Sequence, residues 1–186
     1  MQIIGIGGSN GAGKDTVAEM LVERHNWLFV SLSELLRAEA RKRGLEPNRQ
    51  TLRDIGSEWR RDGGLGVLVD KAVEQYNPAE HEGLVVSSLR HPAEAARIHD
   101  LKGKVLWVDA DPRVRYARIT ARARDGEQRI TYEEFIADEN VEAKHGHDEA
   151  TLNTTAVKAS ADLVLMNDDH GTIEDFKTTA EKALGL

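Results

Sequence analysis

Short, wholly apolar runs alternate along the chain with longer stretches whose apolar residues recur every three or four positions. The runs are Ile3-Ile4-Gly5-Ile6, Trp27-Leu28-Phe29-Val30, Leu84-Val85-Val86, Val105-Leu106-Trp107-Val108 and Leu163-Val164-Leu165-Met166. A strand covered on both faces reads as such a run, whereas a half-solvated strand alternates. Between the runs, the spacing predicts helices over 14–25, from Ser31 or Ser33 to about Arg43, and over 48–61, 65–76 and 92–100. Further helices are expected from Pro112 and over 131–144 and 172–184, with a polar loop at 125–130. Gly44 and Pro47 end one helix, Gly63-Gly64 separates two, and Pro92 and Pro112 suit first turns. Asp109 or Asp111 is placed to cap the helix that Pro112 opens. This alternation predicts an α/β fold of three layers, a five-stranded parallel sheet with helices on both faces. Ligands of such sheets bind beyond the carboxyl ends of the strands. Those ends are Gly7-Gly8, Ser31, Ser87-Ser88, Asp109 and Asn167.

A chain of 186 residues fits one domain, expected to span 1–186. It has no cysteine, so disulfides and thiolate chemistry are excluded. No apolar run approaches the roughly 20 residues of a membrane span, and Met1-Gln2 carries no basic leader. A soluble cytoplasmic protein without membrane contact is expected. The net charge of −7 speaks against a nucleic-acid footprint. Charge is uneven, however: Arg113, Arg115, Arg118, Arg122, Arg124 and Arg129 crowd one segment. That density suggests a local anion site.

The chemistry begins at residues 8–16, Gly8-Ser9-Asn10-Gly11-Ala12-Gly13-Lys14-Asp15-Thr16. Gly8-x4-Gly13-Lys14 between a strand and a helix is the spacing and context of a phosphate-binding P-loop, the Walker A motif. Its glycines let backbone N–H groups converge on phosphate oxygens, and the helix N-terminus adds a positive end. Lys14 supplies a mobile ammonium. Asp15 stands where a Mg²⁺-binding Ser or Thr is usual, with Thr16 one place later. Asp15 either holds Mg²⁺, directly or through water, or only stabilises the helix N-terminus. Thr16 is a candidate metal ligand or phosphate donor. His145-x-His147 with Asp148 is a weak zinc pattern without a third ligand elsewhere. The acids of 133–142 read most simply as a solvated helix face.

Gly13-Lys14-Asp15-Thr16 resembles the P-loops of small nucleotide kinases, including adenylate kinases and (deoxy)nucleoside monophosphate kinases. Ser31-Leu32-Ser33-Glu34-Leu35-Leu36-Arg37 is similar to the Ser-Thr-Gly-Asp-Leu-Leu-Arg stretch of adenylate kinases. The resemblance implies that Arg37 grips an acceptor phosphate, within an acceptor-binding helical segment at about 31–80. Ser33 and Glu34 replace the family's Gly and Asp. Ser87-Ser88-Leu89-Arg90 looks like the Asp-Gly-x-Arg stretch after the third strand. It implies a second phosphate arginine, Arg90, while Ser87 or Ser88 replaces the acid that organises Mg²⁺ in the family. The Arg-rich segment at about 113–147 lies where these kinases carry a lid, which makes Arg118, Arg122 and Arg124 catalytic candidates. Helical spacing puts Arg115, Arg118 and Arg122 on one face. The turn after Met166 implies donor-adenine contacts near Asn167 and His170.

The implied cofactors are ATP and Mg²⁺, and the implied partner is a small-molecule phosphate acceptor. The expected assembly is a monomer or homodimer. The function expected from the resemblance is phosphoryl transfer to a nucleoside or deoxynucleoside monophosphate. Two alternatives stand beside it. A dephospho-coenzyme A kinase would transfer to a sugar hydroxyl and benefit from a carboxylate base. A nucleotide-binding regulatory ATPase would use no acceptor.

Overall fold

The structure is a computed structural model that describes residues 1–122, 130–143, 149–168 and 171–186. Its sheet consists of β1 (Gln2–Gly8), β2 (Trp27–Ser31), β3 (Gly83–Leu89), β4 (Lys104–Asp109) and β5 (Leu163–Met166). All neighbours pair in parallel, in the order β2-β3-β1-β4-β5. The helices are α1 (Lys14–His25), α2 (Leu32–Lys42), α3 (Arg49–Gly63), α4 (Val67–Val73), α5 (Pro92–Asp100), α6 (Pro112–Arg122), α7 (Tyr132–Ala143), α8 (Thr154–Ala159) and α9 (Ile173–Leu184). The five apolar runs are the five strands, and the predicted α/β architecture is the one observed.

The first four runs fill two cores because successive side chains point to opposite faces, whereas edge strand β5 buries Leu165 on one side and leaves Val164 and Met166 exposed on the other. Leu84, Val86, Val105 and Trp107 pack with Leu32, Ile55, Leu68 and Ile98 on one side. Val85, Leu106 and Val108 pack with Val17, Met20, Leu21 and Leu184 of α1 and α9 on the other. Order 2-3-1-4-5 places β1 at the centre, so the loop after it opens at the middle of the carboxyl edge. No helix among the described residues is long and apolar enough to cross a membrane.

Three local expectations change. Ser31 stands at the N-cap of α2 but makes no capping hydrogen bond; its hydroxyl meets the Ser33 hydroxyl instead, at 3.0 Å. Of the two candidate caps of α6, Asp111 is the one used, accepting from Arg113 N–H at 2.8 Å. The short α8 was not foreseen; Asn153 caps it by accepting from Ala156 N–H. A six-residue helix carries too little periodicity to stand out.

Candidate active site

The carboxyl edge of the sheet forms the floor of a cleft of about 1230 Å³. Asn10, Gly11, Gly13, Lys14, Asp15 and Thr16 line one part of it. Backbone geometry explains the glycines. Gly8 has φ 144°, and a Cβ there would lie 2.1 Å from the Val108 carbonyl oxygen. Gly13 has φ 103°, and its Cβ would lie 2.5 Å from Asn167 Nδ2. Only glycine meets both demands. Lys14 folds back over the loop, donating from Nζ to Gly8 O at 2.9 Å and Ser9 O at 2.7 Å. Burial lowers its pKa to about 8, helped by Arg90 and Arg115 and opposed by Asp15 and Glu142. A cradle that a single Cβ would fill, at a helix N-terminus and beside an ammonium, fits a polyphosphate.

The loop is braced from outside the cleft. Ala12 is buried. Ser9 turns away and donates from Oγ to Asp109 Oδ1 at 2.8 Å. Lys158 on α8 donates to Asp109 Oδ2 at 2.7 Å. Burial pushes the Asp109 carboxyl up, but Lys158, Ser9 and Trp107 hold it below the usual carboxylate range. Asn167 donates from Nδ2 to Ala12 O at 2.8 Å, and its own carbonyl accepts from Arg118 at 2.9 Å. Asn167 and Arg118 both line the cleft. Arg115, on the same helix, is buried: it donates to Ala110 O at 2.8 Å and Asn10 O at 3.3 Å and pairs with Glu139.

Across the cleft stand Arg37 and Arg90. Arg37 donates to Glu34 at 2.7 Å and to Ser33 Oγ at 3.3 Å. The Ser33 hydroxyl also lies 3.3 Å from that of Ser88. Ser88 has φ 69° at the point where the β1–β3 register slips, Ile6 facing Ser87 and Gly7 facing Leu89. It is the extra residue of a bulge, in a conformation that favours glycine. Ser87 is wholly buried, and among the described residues its Oγ has no hydrogen-bond partner.

Arg90 is held from below. Glu94 accepts from the backbone N–H groups of Arg90 at 2.8 Å and His91 at 3.0 Å. Its other oxygen accepts from Arg60 at 2.7 Å, and both side chains are buried. His91 lies 2.7 Å from Glu149 O and accepts from Ala93 N–H at its other ring nitrogen.

The acids of 133–142 are not a solvated face throughout. Asp138 accepts from Arg49 at 2.7 Å, and Glu142 accepts from Arg90 at 2.5 Å and Arg53 at 3.3 Å. These α7 acids meet α3 and the end of β3 because Asp138 and Glu142 share one helical face. The side chain of Arg122, together with Arg124, Arg129, His145, His147, Asp148 and His170, lies outside the described residues. Arg53, Glu142, Lys158, Arg60 and Glu94 were not singled out from sequence, and Asp109 was read as a strand end and a candidate helix cap rather than as a brace of the P-loop.

A glycine cradle at the centre of a parallel sheet, with Lys14 at the head of α1, defines a P-loop NTPase domain. The profile of the AAA domain family matches residues 4–145. A UPF0200 protein of Pyrobaculum aerophilum is 26% identical over 186 residues, covering 99% of this chain and 97% of that one. A UPF0200 protein of Methanothrix thermoacetophila is 32% identical over 126 residues, covering 67% of this chain and 68% of its own. The chain belongs to the AAA domain family and to the family of the UPF0200 proteins. A shikimate kinase from Bacteroides thetaiotaomicron shares the fold, with TM-score 0.63 and 15% identity over 99% of this chain and 98% of that one. The fold is thus that of the small P-loop kinases.

Proposed function

We propose that the protein is an ATP-dependent phosphotransferase whose acceptor is a small phosphorylated molecule, most directly a nucleoside or deoxynucleoside monophosphate. One observation carries this reading. Lys14 of the P-loop and Arg90 at the end of β3 face one cleft closely enough for the charge of Arg90 to depress the Lys14 pKa. A donor cradle and an acceptor arginine set therefore share one cleft. Phosphoryl transfer requires little else from a protein than position and positive charge on the equatorial oxygens. Lys14 and Arg118 would supply that charge, Arg90 would orient the acceptor phosphate, and Arg37 with the Ser33 and Ser88 hydroxyls would hold its far side. Arg122 and Arg124 keep their assignment by resemblance, as does His170 near the adenine.

The residues fit Mg²⁺ as well. It commonly binds through one or two carboxylates plus substrate phosphates, and Asp15 and Thr16 line the cleft beside the cradle. When bound, it would neutralise the terminal phosphates of the donor.

A hydroxyl acceptor, as in dephospho-coenzyme A kinase, benefits from a carboxylate base. An acceptor phosphate is already ionised and needs none, and the two arginines that face the P-loop across the cleft, Arg37 and Arg90, suit such an anion, which favours the phosphate reading. The test is transfer of labelled γ-phosphate to each (d)NMP and to dephospho-coenzyme A. Lys14→Ala should abolish transfer, and Arg37→Ala should raise the acceptor KM. An unchanged KM and kcat in Arg37→Ala would remove the acceptor assignment.

A further inference from the structure

Arg49 and Arg53 stand four residues apart on α3, and Asp138 and Glu142 four apart on α7. Arg49 meets Asp138 at 2.7 Å and Arg53 meets Glu142 at 3.3 Å. Partner numbers rise together, so the two helices run parallel along this two-rung ladder. The second rung differs from the first. Glu142 is only 12% exposed, and its second oxygen meets Arg90, 2.5 Å away. Each oxygen of one carboxylate thus faces its own guanidinium, the geometry by which paired arginines grip an oxyanion.

Two features make this grip incomplete. Two guanidinium charges face one carboxylate charge. Arg53 also keeps a buried Nε–H with no hydrogen-bond partner among the described residues. A carboxylate has two oxygens to offer; a phosphate monoester has three non-bridging ones, inorganic phosphate four, and either carries up to two negative charges near neutral pH. A buried unpaired donor is costly, and an occupant with a further oxygen would relieve it.

We infer that Arg53 and Arg90 form a subsite for a phosphate dianion, and that Glu142 is a resident stand-in which the incoming phosphate displaces. The identity of that phosphate as the acceptor's rests on the proposed function; the subsite itself does not. Glu142 is then a competitor. Removing its charge strengthens anion binding, whereas removing a structural brace would weaken it.

The experiment is calorimetric titration of inorganic phosphate into the full chain, with ADP saturating the P-loop. Glu142→Gln should bind phosphate about tenfold tighter than wild type, the scale of removing one charged competitor. Arg53→Gln added to Glu142→Gln should abolish that gain. Equal or weaker binding by Glu142→Gln would overturn the inference. Hydrogen exchange on the wild-type chain tests the same displacement without a variant. Phosphate should speed exchange in α7 around residues 139–143, and unchanged exchange at saturation would also overturn it. Nucleoside monophosphates binding well above free phosphate would assign the anion to an acceptor. Tightened phosphate binding without phosphoryl transfer to any acceptor would leave the subsite standing and remove the kinase reading.

Discussion

Ser9 and Asp109 join the P-loop to the end of the neighbouring strand β4 through a 2.8 Å hydrogen bond. The same carboxylate takes the Lys158 ammonium on its other oxygen, so helix α8 braces the loop at one remove. Asp109→Asn should cost about 1–3 kcal/mol, as for a charged partner lost from a half-buried network. The pH dependence has a definite sign. The folded-state pKa of Asp109 lies below its ordinary value, so its stabilisation is present above the unfolded pKa. It fades as pH falls through the folded one. Urea unfolding of both proteins should show a gap at pH 7 that narrows below about pH 4, where an unfolded aspartate takes its proton.

Ser88 holds a left-handed conformation at the bulge. Ser88→Gly should relieve that strain and raise stability by about 0.5–1 kcal/mol, despite the greater entropy of an unfolded glycine. Ser88→Ala keeps the strain and loses only the hydroxyl. Thermal melts should therefore rank Gly above wild type and Ala no higher than wild type.

The Arg60–Glu94 pair lies wholly inside the protein. Glu94→Ala strands a guanidinium and two N–H groups, which should cost about 3–5 kcal/mol and lower Tm by about 10 °C. The double variant Arg60→Met/Glu94→Leu should recover the part of that Tm owed to the stranded guanidinium, because apolar replacement of a buried pair is often neutral, but not the part owed to the two N–H groups. It should not recover the acceptor KM, since the Arg90 and His91 backbones still lack their acceptor. Recovery of both would show that Glu94 does not position Arg90.

Lys14 has its pKa lowered to about 8, mainly by burial. A bound phosphate favours the ammonium, so nucleotide binding should take up a proton above that pH. ADP titrations at about pH 8.5 in buffers of different ionisation enthalpy should reveal this uptake, and Lys14→Arg should abolish it. In the free chain the sign is opposite to that of a stabilising pair. Stability contributed at this site should rise with pH between the folded and unfolded pKa values, because the unfolded lysine binds its proton more tightly.

The sheet and the phosphate cradle were legible because their signals are local. Val105-Leu106-Trp107-Val108 states its double burial in four letters, and the cradle is one contiguous stretch. The arginine-and-acid cluster was not, because partners such as Arg53 and Glu142 are 89 positions apart. The matched four-residue spacing of Arg49/Arg53 and Asp138/Glu142 was a usable clue. The acids alone read as a solvated face, since nothing local says that α3 and α7 meet. Glu94 was hidden for the same reason: a carboxylate in the first turn after Pro92 is ordinary until Arg60 is packed against it.

If the P-loop and the facing arginines are the two halves of one transfer site, ADP formation by the full chain will reveal it when measured with ATP and Mg²⁺ in the presence and absence of each (d)NMP. Turnover should depend on the acceptor, with only slow background hydrolysis when none is present. Equal ADP formation with and without every acceptor would contradict the account and favour a nucleotide-hydrolysing regulator.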